Sequence, residues 1–337
     1  MRFDFQATGI GSVPFKDPKT ACRVIFDNFE TIPFWPQLPK RSFLESMYVQ
    51  YCEGLPGVVL DEKNQSIHLD IPKAYEELEA VYTKCIEGDV DSFRISKDHA
   101  AGFYEFEEEL KASGKKAKFL KGHVTGPVSY ALFVTDENKR AIMYEKDIYE
   151  VTAKVLAMKA KWQIRRLKKF ADNVIIFIDE PYLVSVGSSY INMDINDAMA
   201  KLDDVIAAIK EEGALAGLHC CGNTDWPLLL KRELDILNFD AYNFTKEFSL
   251  YSADIKDYLK RGGTIAWGMI PSSDASLKET HDSIRERMLK ALDTLAAKGI
   301  SRKDISSILT PSCGVGSLDE AAARKVFELA KSLSGKI

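Results

Sequence analysis

No apolar run in the 337-residue sequence approaches the ~20 residues needed to cross a bilayer, so no membrane-spanning helix is expected. Paired cysteine spacing is also missing. Six cysteines scattered through a chain this long make no disulfide framework, and reduced thiols are expected. Neither sign of charge dominates: 45 Lys and Arg stand against 50 Asp and Glu, for a net charge of −5, with the two signs interspersed. Residues 111–121 are Lys-rich but adjoin a Glu-rich stretch, which reads as a solvated face, so nucleic acid is not an expected partner. There is no low-complexity tract or Ser/Gly linker to mark a domain boundary. Met1-Arg-Phe-Asp-Phe-Gln6 has no apolar signal-like region, and a cytoplasmic protein without membrane contact is expected.

What remains is an ordinary globular composition, 46% hydrophobic and 28% charged, with material for a sizeable core. Short apolar runs ending in polar, Gly or Pro residues recur at 3–12, 32–37, 119–126, 174–181, 214–222, 236–244, 264–271 and 308–314. Amphipathic stretches with helical spacing separate many of them, at 17–29, 147–170, 196–212, 276–298 and 318–333. Strands alternating with helices imply parallel order, and eight such runs predict an α/β fold of the (β/α)8 TIM barrel type. Residues 1–337 are read as one barrel domain with an insertion between strands 2 and 3, where 41–118 is too long for an ordinary crossover. Within it, 58–69 places two apolar pieces around a polar turn and predicts a hairpin.

Barrel chemistry gathers at the C-terminal strand ends, because the loops there converge on one mouth. The polar residues ending these runs are Gly11 and Ser12, Gln37, Thr125, Asp179 and Glu180, His219 and Cys221, Asn243 and Glu247, Ser272, and Cys313. The strongest cluster is Leu215-Ala-Gly-Leu-His-Cys-Cys-Gly-Asn-Thr224. Side chains alternate along a strand, so His219 and Cys221 point one way and Cys220 the other. Imidazole and thiolate suit tetrahedral zinc, and the remaining donors must come from elsewhere, with Cys313 and Glu247 the best placed. The competing structural reading makes the thiols small buried hydrophobes and His219 a hydrogen-bonded core residue.

Zinc held this way can bind a substrate thiol as thiolate at neutral pH, where a free thiol of pKa ~8.5 is mostly protonated. Thiolate is the nucleophile, which points to alkyl transfer to sulfur, while metal-bound water would favour hydrolysis. Asp179 follows the very apolar Val174-Ile-Ile-Phe-Ile178 and could receive an ammonium group, act as a base, or simply cap a helix. Gly11 permits close backbone approach to a ligand in Ile10-Gly11-Ser12. Trp267 and Met269 suit either a ligand wall or the core.

These motifs resemble the catalytic barrel of the cobalamin-independent methionine synthases, with kinship to the uroporphyrinogen decarboxylase-like corrinoid methyltransferases. The resemblance runs through Ile10-Gly-Ser-Val-Pro14, Lys121-Gly-His-Val-Thr-Gly-Pro-Val128, Phe177-Ile-Asp-Glu-Pro181, His219-Cys-Cys221, residues 240–247 and Pro311-Ser-Cys-Gly314. It implies that His219, Cys221, Glu247 and Cys313 hold Zn2+, that Ile10, Gly11 and Ser12 contact the homocysteine carboxylate, and that Asp179 receives its ammonium group. A further substrate glutamate would be Glu45 or Glu53. The implied activity is methyl transfer to homocysteine, forming methionine.

Three departures concern the methyl donor. The two-barrel methionine synthases run to about twice this length, and their folate-enclosing N-terminal half has no counterpart here. Residue 133 is Phe where the family has a pterin-associated tryptophan, and 267–275 lacks the family's loop histidine. Folate's poor amine leaving group needs that proton, so methylcobalamin or a methylated corrinoid protein is the expected donor. Methyltetrahydrofolate as donor, coenzyme M or another thiol as acceptor, and a corrinoid-binding accessory protein with structural zinc are the alternatives.

Overall fold

A computed structural model describes residues 2–185 and 192–337. Its strands are β1 (Gln6–Ala7), β2 (Val58–Asp61), β3 (Ser66–Leu69), β4 (Ala117–Thr125), β5 (Thr135–Asp136), β6 (Ala171–Asp179), β7 (Leu215–Cys220), β8 (Ile236–Phe239), β9 (Thr264–Ile270) and β10 (Ser306–Pro311). The helices are α1 (Pro18–Asn28), α2 (Ile71–Glu87), α3 (Ala101–Ser113), α4 (Pro127–Phe133), α5 (Lys146–Leu167), α6 (Ile195–Glu211), α7 (Trp226–Leu230), α8 (Ala241–Phe248), α9 (Ser252–Lys260), α10 (His281–Ala297) and α11 (Glu320–Leu333). Helix α6 illustrates their logic. The Asp194 carboxylate caps its first N–H groups, and Ala198, Leu202, Val205 and Ile209 recur at helical spacing on its buried face.

Seven strands form one parallel sheet in the order β1-β10-β9-β8-β7-β6-β4. The sheet curls. Phe3 and Ile10, flanking β1 at one edge, share a buried cluster with Phe119 of β4 at the other, and the Phe3 and Phe119 ring centroids lie 5.1 Å apart. Between the two edges runs the 33–37 segment. Lys121 N–H donates to the Pro33 carbonyl (2.9 Å) and Trp35 N–H to that of Lys121 (3.2 Å), while Gln37 N–H donates to Gly11 (3.0 Å) and Val13 N–H to Gln37 (2.9 Å).

This segment is where the second of the eight expected strands lies, and it forms only isolated bridges, Phe34 with Lys121 and Ser12 with Gln37. The cause is Pro33 and Pro36: each lacks an N–H and cannot donate to a ladder. The first expected strand is likewise short, with β1 covering two residues. The 236–244 run also divides: β8 stops at Phe239, and Asp240 caps α8 by accepting from Asn243 N–H (3.0 Å).

The expected hairpin is present as antiparallel β2 and β3, and β5 joins it to make a three-stranded sheet. No helix of the described residues is long and apolar enough to cross a membrane.

Candidate metal centre

Because the seven strands are parallel, β6, β7 and β10 deliver their C-terminal residues to one side. Register pairs Asp179 of β6 with His219 of β7. The ring of His219 and the thiols of Cys221 and Cys313 converge there, one donor atom from each lying within 4.8 Å of the others. Donors bound to one tetrahedral zinc stand about 3.5 to 3.8 Å apart, given Zn–S near 2.3 Å and Zn–N near 2.0–2.1 Å, so a small adjustment suffices. Cys220 faces the other way, into the core, with its thiol directed at the Gly222 carbonyl (3.6 Å).

The tautomer of His219 follows from its neighbours. Asn238 Nδ2 donates to the Ala266 carbonyl (2.9 Å) and to Thr310 Oγ1 (2.8 Å). A carbonyl can only accept, so the Asn238 amide is oriented and its Oδ1 meets His219 Nδ1. Nδ1 must therefore carry hydrogen and donate. That leaves the lone pair on Nε2, which is buried with no protein partner. An imidazole anchored through Nδ1 with a free Nε2 is the usual arrangement of a metal-binding histidine.

The thiols are electrostatically unequal. The adjoining Cys313 thiol, then the His219 ring, pulls Cys221 down to about 4, while the same proximity of Cys221 holds Cys313 well above its ordinary value. Burial opposes charge on His219, but the adjoining Cys221 thiol and the nearby Asp179 charge outweigh it and raise its pKa. A thiol that ionises readily beside an imidazole makes a site prepared for a cation that displaces protons.

A cavity of about 240 Å³ adjoins the cluster, and Ile10, Ser12, Gln37, Asp179, His219, Cys221, Cys313 and Gly314 are among its lining residues. A larger cavity of about 520 Å³ lies at the start of β4, between Phe26, Phe29 and Lys115–Lys118, and none of the convergent donors lines it. Size does not identify the site here; donor chemistry does.

The structure distributes the expected residues as follows. Asp179 lines the cavity, and its Oδ1 is buried without a partner. Burial lifts its carboxyl to about 6, against the charges of His219 and Lys121. The neighbouring Glu180 turns away from the cavity to cap α4, accepting from Val128 N–H (2.9 Å), Ser129 N–H (2.7 Å) and Ser129 Oγ (2.6 Å).

Ile10 and Ser12 line the cavity as expected. A Cβ on Gly11 would stand 2.8 Å from His123 Nδ1, so only glycine lets the loop cross there. Glu247 sits on α8 outside the three-donor convergence, with a buried Oε2 that has no partner. Glu45 is not among the cavity residues. Its fully buried carboxylate binds Arg41 (2.6 Å) and Leu38 N–H (3.3 Å), and burial raises it to about 7 against the pull of Arg41. Glu53 holds Ser96 N–H (2.7 Å) and faces His99. Trp267 is fully buried and donates to Ser307 Oγ (3.2 Å), which is a core role.

Asn238 is not among the residues expected from the sequence, although a lone amide in Ile236-Leu-Asn-Phe239 is a signal of a buried polar contact. Gln37 is legible there only as the end of a run. Gln50 Nε2 donates to the His99 carbonyl (2.7 Å), so Gln50 Oε1 receives Gln37 Nε2 (2.9 Å). Among the described residues that leaves Gln37 Oε1 without a protein donor, at a residue lining the cavity.

The fold and site together define an α/β protein with a curled parallel sheet and a His/Cys/Cys cluster at its strand ends. No protein-family model matches the chain, and no curated protein matches it. Among solved structures, a B12-independent methionine synthase from Shewanella sp. W3-18-1, in complex with selenomethionine, is similar at 19% identity and a TM-score of 0.47. The match covers 68% of this chain and 65% of that one.

Proposed function

We propose that this chain is a zinc-dependent methyltransferase that forms methionine by moving a methyl group to the thiol of homocysteine. One observation carries the reading: the free Nε2 of His219 and the sulfurs of Cys221 and Cys313 meet at the wall of a cavity that Asp179 and Ser12 also line. His219, Cys221 and Cys313 are the zinc ligands, and Glu247, with its unpartnered buried Oε2, is the fourth donor. Bound there, zinc supplies the positive charge that keeps a substrate thiol ionised at neutral pH. Asp179 and Gln37 Oε1 receive the ammonium group, and Ser12 with the backbone of Ile10 and Gly11 receives the carboxylate. Holding the sulfur within ~3 to 3.5 Å of the methyl group, in line, is the scaffold's main contribution.

The donor is a methylcorrinoid, free or protein-bound, whose cobalt keeps both electrons of the broken bond. Among the described residues His219 is the only imidazole lining the cavity, and in this reading the metal claims it, so none of them offers a second imidazole to protonate a folate amine. In the same reading residues 1–337 are one (β/α)8 domain, with the proline-interrupted 33–37 segment as its second strand. A site that needs reduced thiols fits the cytoplasm.

The test is methionine formation by the zinc-loaded protein from homocysteine and either methylcobalamin or methyltetrahydrofolate. The expected product comes from methylcobalamin and is lost in Cys221→Ser and Cys313→Ser. Product from folate alone reverses the donor assignment. Undiminished turnover after complete chelation removes the metal-based reading. X-ray absorption separates a structural zinc, whose shell is unchanged by homocysteine, from a catalytic one that gains a sulfur.

A further inference from the structure

Lys121 is a buried cation that the chemistry above does not use. Its side chain lies on β4 with no exposed surface, its ammonium donates to the Ile10 carbonyl, and Nζ stands 4.2 Å from the centroid of the Phe177 ring. One carbonyl and two ring faces, Phe177 and the more distant Phe34 at 5.9 Å, satisfy only part of a group with three donors. A buried ammonium is costly without an opposite charge, and burial does depress Lys121, to about 7. The acid whose charge opposes that depression is Asp179. Register pairs Thr125 of β4 with Asp179 of β6, and Lys121 lies four residues before Thr125, so Lys121 and Asp179 stand on one face of the sheet, with no direct ion pair between them among the described residues.

We propose that Lys121 is a positioning residue that couples the first loop to Asp179: its ammonium pins the Ile10 carbonyl, and its charge balances the Asp179 carboxylate. The inference rests on the proposed function and extends it to substrate choice. Pinning the Ile10 carbonyl fixes the direction of Gly11 and Ser12, the elements assigned to the substrate carboxylate. Balancing Asp179 leaves that side of the cavity without net charge, which suits a zwitterionic amino-acid head better than a cationic amine. Lys121 thus sets the two halves of the head-group site relative to each other without touching the reacting atoms.

Calorimetric titration of zinc-loaded protein tests this without turnover, using methionine and, separately, 2-mercaptoethanol, a thiol with no amino-acid head. In Lys121→Met, methionine affinity should fall by about tenfold or more while zinc content and 2-mercaptoethanol binding stay at the parent level. Lys121→Gln keeps a donor for Ile10 but lacks the charge; it should also lose methionine affinity, and it carries the test if the Met variant does not fold. Methionine affinity within twofold of the parent in a zinc-loaded variant overturns the role of Lys121. So does an equal loss for methionine and 2-mercaptoethanol, which would mark general damage. A parent protein that binds zinc but neither ligand overturns the proposed function, and this inference with it.

Discussion

Two stretches bring buried polar side chains to the same neighbourhood, and the fold treats them differently. Along 37–53 the polar groups are spent on one another. Gln37 donates to Gln50, Gln50 to the His99 carbonyl, and Glu45 is held by Arg41 and Leu38. At the strand ends and on α8, Asp179 Oδ1, His219 Nε2 and Glu247 Oε2 are buried with no hydrogen-bond partner among the described residues. Leaving a buried polar atom unpaired costs about 1–3 kcal/mol, more if it is charged, so Asp179 Oδ1 and His219 Nε2 on a cavity wall with two thiols mark a place shaped for a ligand. The first stretch uses polarity as scaffold, because 33–37 cannot build a full ladder around its prolines. The second keeps polarity in reserve.

That contrast is easiest to break at the thiols. Cys221→Ser or Cys313→Ser should lower zinc affinity by about 100-fold or more, beyond the range of changes outside the ligand shell, as measured by competition with a chromogenic chelator. Full zinc retention in both would return these cysteines to ordinary packing. Next comes Asn238→Leu, which removes the partner that orients His219. Zinc affinity should fall by about 10- to 100-fold. A smaller loss would mean that strand register alone aims the ring.

Asp179→Asn should raise the KM for homocysteine by about tenfold, through loss of one charge-assisted hydrogen bond, with zinc content unchanged. An unchanged KM would place the ammonium elsewhere. The smallest effect belongs to the scaffold stretch. Burial raises Glu45 to about 7 from an ordinary 4.5, so the folded protein binds that proton more tightly than the unfolded chain does. Its contribution to stability therefore declines as pH rises from about 4.5 towards 7. Denaturation midpoints at pH 5 and 7.5 should show the parent losing ground to Glu45→Gln across that interval, and a constant difference would refute it.

Much of this site was legible in the chain. Alternation along Leu215-Ala-Gly-Leu-His-Cys-Cys221 put His219 and Cys221 on one side, and both line the cavity while Cys220 is turned into the core. Cys313 and Asp179 were readable as polar residues ending apolar runs, and the 58–69 hairpin as two apolar pieces around a turn. The surroundings of Glu45 and Glu53 were not legible, because a carboxylate's partner depends on what folds beside it: Arg41 and Leu38 for one, Ser96 and His99 for the other. Glu180 reads in the sequence as half of an acid pair at the mouth, but α4 supplies two N–H groups for it to cap.

By itself the sequence determined the period of its strands and helices and the side of the strand on which His219 and Cys221 stand. These depend on neighbours a few residues apart, where covalent geometry decides. Only the tertiary structure decided that Asn238 fixes the tautomer of His219, that Gln37 is oriented by Gln50, and that Lys121 and Asp179 share one face of the paired β4 and β6. Those outcomes join residues 13 to 58 positions apart, and which atom is left without a partner depends on every other group that packs around it.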